Sequence, residues 1–526
     1  MINLGLQRIT QLLNPLFSAH PTLPWKAVHI AGTNGKGSVA AMVSTFLGHL
    51  GYKVGRFTSP HLIDRWDGIT LNKVVVEQDR FLRVEQDFRQ RSIDEDINAS
   101  EFEILTATAF QLFTDEKVDV AVIECGLGGR LDATNVLRPK DVVVSVLTKV
   151  GLDHTDFLGD SLEAITREKV GIFKPGVPVV LDQTNQRSVI DVAENQLKEL
   201  GWGENGAEGV YVSAEERRHE FDEAIRDMGL SKHSGQNLYL AYSCFRKAEE
   251  CLAAFFGDRP HHTRREPPPS SDPSQPIVPP SGDSLVAVNA RPSEAVRESL
   301  AVLVEQAVMS LPGRLQWLTL PPILLPENLQ DMTARLQNDR IDAKVLLDGA
   351  HNPMGAAALA GYVKMQWQLS KPDPKTKPQP RPKDPLPVTW LLSVKSDKNA
   401  DEILERLLQP TDNVVTCSFG PVDGMPWVKS MGAIELAEIA RRYTNGVVEA
   451  LCDEYVETLV GHGDQPTPDE KMRIIIRQAV SVASRASEDD SSLRLCIAGS
   501  LYLVGDVLRC IRNSGGSITD ECLPPV

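Results

Sequence analysis

The 526-residue chain reads as an α/β protein of two domains, each built round a parallel sheet. Three observations predict this. Apolar runs at 25–31, 118–124 and 142–147 are strand-length, and each gives way to a polar or glycine-bearing stretch. The pattern starts afresh after residue 310, with another such run at 343–347. Residues able to do chemistry fall just after the C-terminal ends of these runs, where open parallel sheets place their ligands.

Residues 4–13 read as an amphipathic helix leading into a buried strand at 25–31. Gly32-Thr-Asn-Gly-Lys-Gly-Ser38 follows, and then a helix at 39–51, with Val39, Met42, Val43, Phe46, Leu47 and Leu50 on its apolar face. Strand, glycine loop and helix together hold phosphate. Backbone N–H groups face the anion, the helix N-terminus adds partial charge, and Lys36, on an exposed loop, adds a full one. Ser38 supplies a hydroxyl suited to Mg²⁺. The strict P-loop pattern is not met, because Ile30 and Gly37 stand where it wants Gly and Ser/Thr.

A strand at 52–57 ends in Thr58-Ser-Pro-His-Leu62, and 101–113 has helical spacing. The strand at 118–124 precedes Cys125-Gly-Leu-Gly-Gly-Arg-Leu-Asp-Ala-Thr-Asn135, and that at 142–147 precedes Gly151-Leu-Asp-His-Thr-Asp156. A helix at 161–170, capped by Ser161, and a strand at 178–182 come next. Residues 257–285, rich in Pro, Ser and charge, predict a disordered insert. Helical spacing resumes at 293–309 and leads to Leu311-Pro-Gly-Arg-Leu315, which sets the boundary between domains at 1–310 and 311–526. In the second domain the strand at 343–347 ends in Asp348-Gly-Ala-His-Asn-Pro353, ahead of a helix. A linker-like insert at 371–387 precedes strands at 388–394, 413–417 and 493–497. The last of these meets Gly499-Ser500 and a helix at 501–511.

Composition narrows the function. With 42% hydrophobic and 24% charged residues, this is an ordinary globular protein. No apolar run approaches the ~20 residues of a membrane span. A net charge of −16 argues against nucleic-acid or membrane partners, so anionic substrates need local Lys, Arg or metal. Eight cysteines without a Cys-x-x-Cys pair suit reduced thiols inside a cell. The first 63 residues lack Asp and Glu, a faint transit-peptide trait, but the early helix favours the cytoplasm, with a mitochondrial pool left open. A monomer is expected.

A nucleoside triphosphate binds as its Mg²⁺ complex, so a phosphate loop calls for oxygen or imidazole ligands nearby. Ser59, Glu124 and His154 each follow a strand end in the first domain and are the candidates. Alone, each also suits a cap or an ordinary surface position. Cys125 has no neighbour in sequence to activate it and reads as structural. The loop 126–135, with three glycines, an Arg and an Asp, is either a long turn or a surface for substrate. Arg314 and Asp348 bracket the domain boundary; Arg can meet phosphate and Asp a ribose hydroxyl. His351 is placed to face phosphate from the second domain.

Taken together, Gly-Thr-Asn-Gly-Lys-Gly-Ser38, Thr58-Ser-Pro-His-Leu62, Glu124-Cys-Gly-Leu-Gly-Gly-Arg-Leu-Asp-Ala-Thr-Asn135, Leu152-Asp-His154, Arg167-Glu-Lys-Val-Gly-Ile172, Pro312-Gly-Arg314, Asp348-Gly-Ala-His-Asn-Pro353 and Gly499-Ser-Leu-Tyr-Leu-Val-Gly505 resemble the folylpolyglutamate synthase/dihydrofolate synthase branch of the Mur ligases. The resemblance implies a Mur-ligase-like fold: an N-terminal P-loop-type parallel-sheet ATPase domain and a smaller C-terminal Rossmann-like α/β domain that ligates glutamate. It implies a ligase in which ATP phosphorylates a pteroate or folate carboxylate and the amine of L-glutamate displaces the phosphate. By motif position, Gly35, Lys36, Gly37 and Ser38 hold the triphosphate, and Asn237, Arg314 and Asp348 contact ATP. Ser59, Glu124 and His154 ligate Mg²⁺, two ions in all. Lys36, Lys169 and His351 serve catalysis, with Lys169 matching a lysine that is often carbamylated. Ser100, Glu101, Phe102 and Glu103, with Leu131, Asp132 and Ala133, contact the pterin. Ser393 and Lys398 are the positions considered for glutamate.

Two departures from the family pattern bear on the substrate. Arg65-Trp-Asp-Gly-Ile69 replaces an Arg-Glu-Arg-Ile run, and Asn34 stands where long eukaryotic folylpolyglutamate synthases commonly have Lys. Both are similar to dedicated fungal dihydrofolate synthases. The acceptor expected is therefore 7,8-dihydropteroate; extension of reduced folates, or both activities in one enzyme, is the alternative.

Overall fold

The computed structural model describes residues 5–202, 232–256, 302–307, 310–327, 329, 343–368, 386–460, 466–486 and 493–518. The insert expected at 257–285 lies outside the described residues, as does that at 371–387 except for 386–387. Of the helix expected at 293–309, residues 302–307 are described and helical.

The chain divides into two compact units. The first runs to His61 and resumes from Trp66 to Ser310; the second holds Leu62–Arg65 and everything from Leu311. The first unit is built on seven strands: β1 (Lys26–Ala31), β2 (Val54–Phe57), β3 (Ile69–Leu71), β4 (Val74–Val75), β5 (Val120–Glu124), β6 (Val142–Leu147) and β7 (Val179–Leu181). Their order is β4-β3-β2-β5-β1-β6-β7. The last five run parallel, while β3 and β4 turn back antiparallel at one edge. Strands β1, β2, β5 and β6 are buried along their whole length, which is why they read as unbroken apolar runs.

Helices α1 (Gln7–Leu12), α2 (Asn14–Ala19), α3 (Lys36–His49), α4 (Gln78–Asp94), α5 (Glu101–Asp115), α6 (Thr155–Leu158), α7 (Leu162–Val170), α8 (Arg187–Glu199) and α9 (Lys232–Phe256) cover the sheet. Trp25, Phe57, Phe81, Phe110 and Phe113 belong to one core cluster. Leu147, Ile165, Phe173 and Ile190 belong to another. Ser161 caps α7 as expected, accepting from Ala164 N at 3.2 Å. Helix α3 starts at Lys36, three residues before the apolar spacing shows it, because its first turn belongs to the glycine loop.

The second unit has six strands: β8 (Gln316–Thr319), β9 (Lys344–Leu347), β10 (Thr389–Leu392), β11 (Asn413–Cys417), β12 (Val448–Leu451) and β13 (Leu495–Ala498). Their order is β12-β11-β10-β13-β9-β8, parallel except for β8. Asp348 and Gly499 thus follow neighbouring parallel strands. The boundary read from sequence treats 1–310 as continuous, but Leu62–Arg65 belong to the second unit. Ile63 sits in that unit's core, its carbonyl accepts from Arg509 at 3.1 Å, and Asp64 meets Arg512 at 2.6 Å. Among the described residues no helix is long and apolar enough to cross a membrane.

Candidate functional site

The loop between β1 and α3 is moulded by the chain that follows β6. Thr33 N and Asn34 N donate to Lys149 O at 2.7 and 3.1 Å, and the Thr148 hydroxyl donates to Asn34 O at 2.9 Å. Gly35, at the N-cap of α3, has φ +89°, a left-handed backbone that favours glycine. A Cβ there would also collide with Asn237 Oδ1 from α9, so Asn237 lies directly against the loop.

Lys36 Nζ stands 3.5 Å from Glu124 Oε1 and donates to Thr33 O at 3.3 Å. Glu124 ends β5, the sheet neighbour of β1, and is nearly buried. Its other oxygen accepts from Ser59 N at 3.4 Å. Three expected residues therefore meet: Lys36, Glu124 and Ser59. Gly37 and Ser38 lie in the first turn of α3. His154 sits on the exposed loop after β6, with φ +52° at the N-cap of α6. The oxygen donors of Glu124 and Ser59 fit Mg²⁺, which takes hard oxygen ligands and is commonly held by one or two carboxylates together with phosphate oxygens. Among the described residues no group of three or more His, Cys, Asp or Glu is placed to hold a metal ion.

Two buried cations near this point differ in how the sequence exposed them. Lys169, on α7, donates to Gly32 O at 2.9 Å. Burial, and then the charge of Lys36, push its amine down to about 7. Arg56 lies inside β2 and gave no sequence signal, since a lone arginine in an apolar strand looks like an edge residue. Its guanidinium binds Ser310 Oγ at 2.6 Å and Ser310 O at 2.8 Å. Burial pulls it down to about 10, against the pull of Glu124.

The loop 126–135 folds around Asp132. That carboxylate accepts from Leu127 N at 2.7 Å, from Thr134 N at 3.0 Å and from the Thr134 hydroxyl at 2.5 Å. Burial raises its pKa, and these bonds oppose the shift. Ala133 is buried and Leu131 half-buried. A Cβ on Gly126 would strike the Phe102 ring, which also stacks on Phe57 with centroids 6.0 Å apart. Phe102 therefore borders the loop directly. Its neighbours have partners in the scaffold. Ser100 and Glu103 form the capping box of α5, Glu103 also accepts from Arg8 at 2.9 Å, and Glu101 pairs with Arg89.

In the second unit, Asp348 accepts from Leu315 N and Ala350 N, each at 2.8 Å. Burial raises its pKa, and Arg314 opposes the rise. His351 Nδ1 lies 2.8 Å from Gly349 O. Arg314, Asp348 and His351 thus gather round the start of the chain after β9. Ser393 is buried, 2.9 Å from the Ser430 hydroxyl, and Lys398 is half-buried on the next turn.

Comparison with known proteins meets this geometry at both units. Residues 30–236 match the Mur ligase middle domain, and residues 330–510 match the dihydrofolate synthetase C-terminal domain. The chain is 32% identical to a probable dihydrofolate synthetase of Schizosaccharomyces pombe, over 97% of this chain and 99% of that protein. It is 29% identical to the dihydrofolate synthetase of Saccharomyces cerevisiae, over 98% and 99%. A Mycobacterium tuberculosis folylpolyglutamate synthase complexed with ADP superposes with a TM-score of 0.61 at 23% identity, over 98% of this chain and 96% of that one. A bifunctional folylpolyglutamate synthase/dihydrofolate synthase with Mn, AMPPNP and L-glutamate bound gives 0.57 at 22% identity, over 97% and 95%. The chain belongs to the dihydrofolate synthetase/folylpolyglutamate synthase family of Mur ligases.

Proposed function

We propose that the protein is an ATP-dependent ligase that joins L-glutamate to 7,8-dihydropteroate to give dihydrofolate. The observation that carries this reading is Lys36 and Glu124, paired at 3.5 Å at the mouth of a glycine loop that opens the 14-residue helix α3. A cation and a carboxylate placed together at a phosphate site suit phosphoryl transfer. Full-length similarity to two fungal proteins named dihydrofolate synthetase supports the choice of acceptor.

A carboxylate is a poor acylating agent, so its oxygen first attacks the γ-phosphorus and ADP leaves. The amine of glutamate then attacks the acyl carbon; the amide bond forms as the carbon–oxygen bond to phosphate breaks. Loop N–H groups, Gly35, Gly37, Ser38 and Lys36 hold the triphosphate and balance its charge. Glu124 and Ser59, with His154, would hold Mg²⁺, which when bound supplies the positive charge that screens the phosphates. In this reading Asn237 contacts the nucleotide, the second unit contributes Arg314 and Asp348 as ATP contacts and His351 for catalysis, and Phe102 with residues 131–133 receives the pterin.

Lys169 is carbamylated in the same reading. An amine lowered to about 7 is neutral in a substantial fraction of molecules near neutral pH, and the neutral amine is the form that adds CO₂. A carbamate there would also relieve the repulsion from Lys36. Carbon-13 NMR of protein equilibrated with labelled bicarbonate should show a carbamate resonance that Lys169→Met abolishes; a spectrum without it removes this part.

The function itself is tested by phosphate release from purified protein. Release should require dihydropteroate and L-glutamate together, and should be slower when tetrahydrofolate is the only acceptor. Release independent of either substrate would overturn the ligase. Faster release with tetrahydrofolate would move the assignment to polyglutamylation.

A further inference from the structure

His29 stands in the middle of β1, three residues before Gly32, and is fully buried. A histidine in a central apolar strand is costly unless its ring nitrogens are bonded. One of them is: Nε2 lies 2.9 Å from Thr134 Oγ1 and 3.2 Å from Cys125 Sγ. Thr134 has a single hydroxyl proton, and the carboxylate of Asp132, 2.5 Å away, is the strongest acceptor within its reach. The hydroxyl therefore donates to Asp132, and the proton between His29 and Thr134 comes from Nε2. Nδ1 is left as a bare acceptor, buried and without a hydrogen-bond partner among the described residues.

A chain of donors thus runs from His29 through Thr134 to Asp132. It ends on the carboxylate that gathers Leu127 N and Thr134 N, near the two ends of the 126–135 loop. A bond donated to a hydroxyl strengthens that hydroxyl's own donation. If the site needed only filling, an apolar side chain of similar size would avoid the unpartnered nitrogen. What histidine adds is direction.

We propose that His29 is a positioning residue: through Thr134 it fixes Asp132 and hence the acceptor-side loop in the frame of the strand that carries the phosphate loop. The proposal rests on the reading of Leu131, Asp132 and Ala133 as acceptor contacts. Its consequence is registration. Phosphoryl transfer to a carboxylate needs the two reacting groups aligned, and a misplacement of about 1 Å can cost about a hundredfold in rate. Here one buried side chain ties both loops together.

The test uses four variants of the full chain, the fourth combining His29→Leu with Thr134→Val, and two readouts. His29→Leu removes the donor and keeps much of the volume. Thr134→Val removes the relaying oxygen and keeps the shape. His29→Gln returns an N–H donor at the level of Nε2. Amide hydrogen exchange at Leu127 and Thr134 reports whether Asp132 is held; the KM values for dihydropteroate and ATP report what that holding does. His29→Leu and Thr134→Val should each speed exchange at both amides and raise the dihydropteroate KM, by about tenfold for one lost buried bond. The ATP KM should stay within about twofold, His29→Gln should recover most of both effects, and the double variant should be no worse than Thr134→Val alone. Unchanged exchange in His29→Leu overturns the relay. Faster exchange with an unchanged dihydropteroate KM overturns the positioning role, and with it the acceptor reading of residues 131–133, while substrate-dependent phosphate release still stands on its own assay. Equal rises in both KM values would mark a general loss of structure and also overturn it. If His29→Leu fails to fold, Thr134→Val makes the same test from the far end of the relay.

Discussion

Lys36 divides its charge between Glu124 at 3.5 Å and the Thr33 carbonyl at 3.3 Å. From sequence it belongs to an exposed loop, where truncation touches no core. In the structure only 15% of its side chain is exposed, and Glu124 has 6%. Removing the lysine takes the cation at 3.5 Å from a buried carboxylate, at a cost of about 1–3 kcal/mol. Lys36→Ala should therefore lose ATP-dependent phosphate release by about a hundredfold or more and also melt at a lower temperature. Adding Glu124→Gln removes that buried negative charge, so the double variant should melt above Lys36→Ala while remaining inactive. Calorimetry that finds the two melting together would show that the pair carries no such coupling. Polarity at a strand end is a local signal, so Lys36, Glu124 and Ser59 were legible in the sequence. His29 and Arg56 were not, because each sits inside an apolar strand, and its partners, Thr134 and Ser310, lie 105 and 254 residues away.

At the scale of elements, α3 and α9 jointly shape the glycine loop. They pack along their length, with the Phe46 and Phe245 rings 5.6 Å apart, and this brings Asn237 against Gly35. Gly35→Ala meets two obstacles there: a left-handed backbone that costs alanine about 1–2 kcal/mol, and a collision with Asn237 Oδ1. Nucleotide affinity, read by calorimetric titration with ATP analogue and Mg²⁺, should fall at least about tenfold in Gly35→Ala. An unchanged affinity would mean that the loop tolerates a side chain at position 35. The parallel strands other than β12 were read within a few residues, since burial on both faces writes an unbroken apolar run, whereas β12 is only half-buried along most of its length. The antiparallel edge was not. Strands β3 and β4 are three and two residues long, joined by Asn72-Lys73 with φ +52° and +71°. That geometry suits a two-residue hairpin turn, but Lys in place of Gly hides it. Helix α9 went unread because its polar start, Lys232 to Asn237, masks the apolar face that follows.

Across the molecule, both units repeat one plan, a parallel sheet closed at an edge by antiparallel strands, with polar groups after the C-terminal strand ends. The parallel part of that plan was legible because it recurs along the chain. The place of Leu62–Arg65 was not, since four residues carry no period and their partners, Arg509 and Arg512, lie more than 440 residues away. The central claim concerns the order of bonds: the acceptor carboxylate takes the γ-phosphoryl group before nitrogen arrives. Dihydropteroate labelled with oxygen-18 in both carboxylate oxygens tests it most directly, with mass spectrometry of the released phosphate. An acyl-phosphate intermediate sends one labelled oxygen into each phosphate formed with an amide. Phosphate free of label, alongside dihydrofolate product, would contradict it.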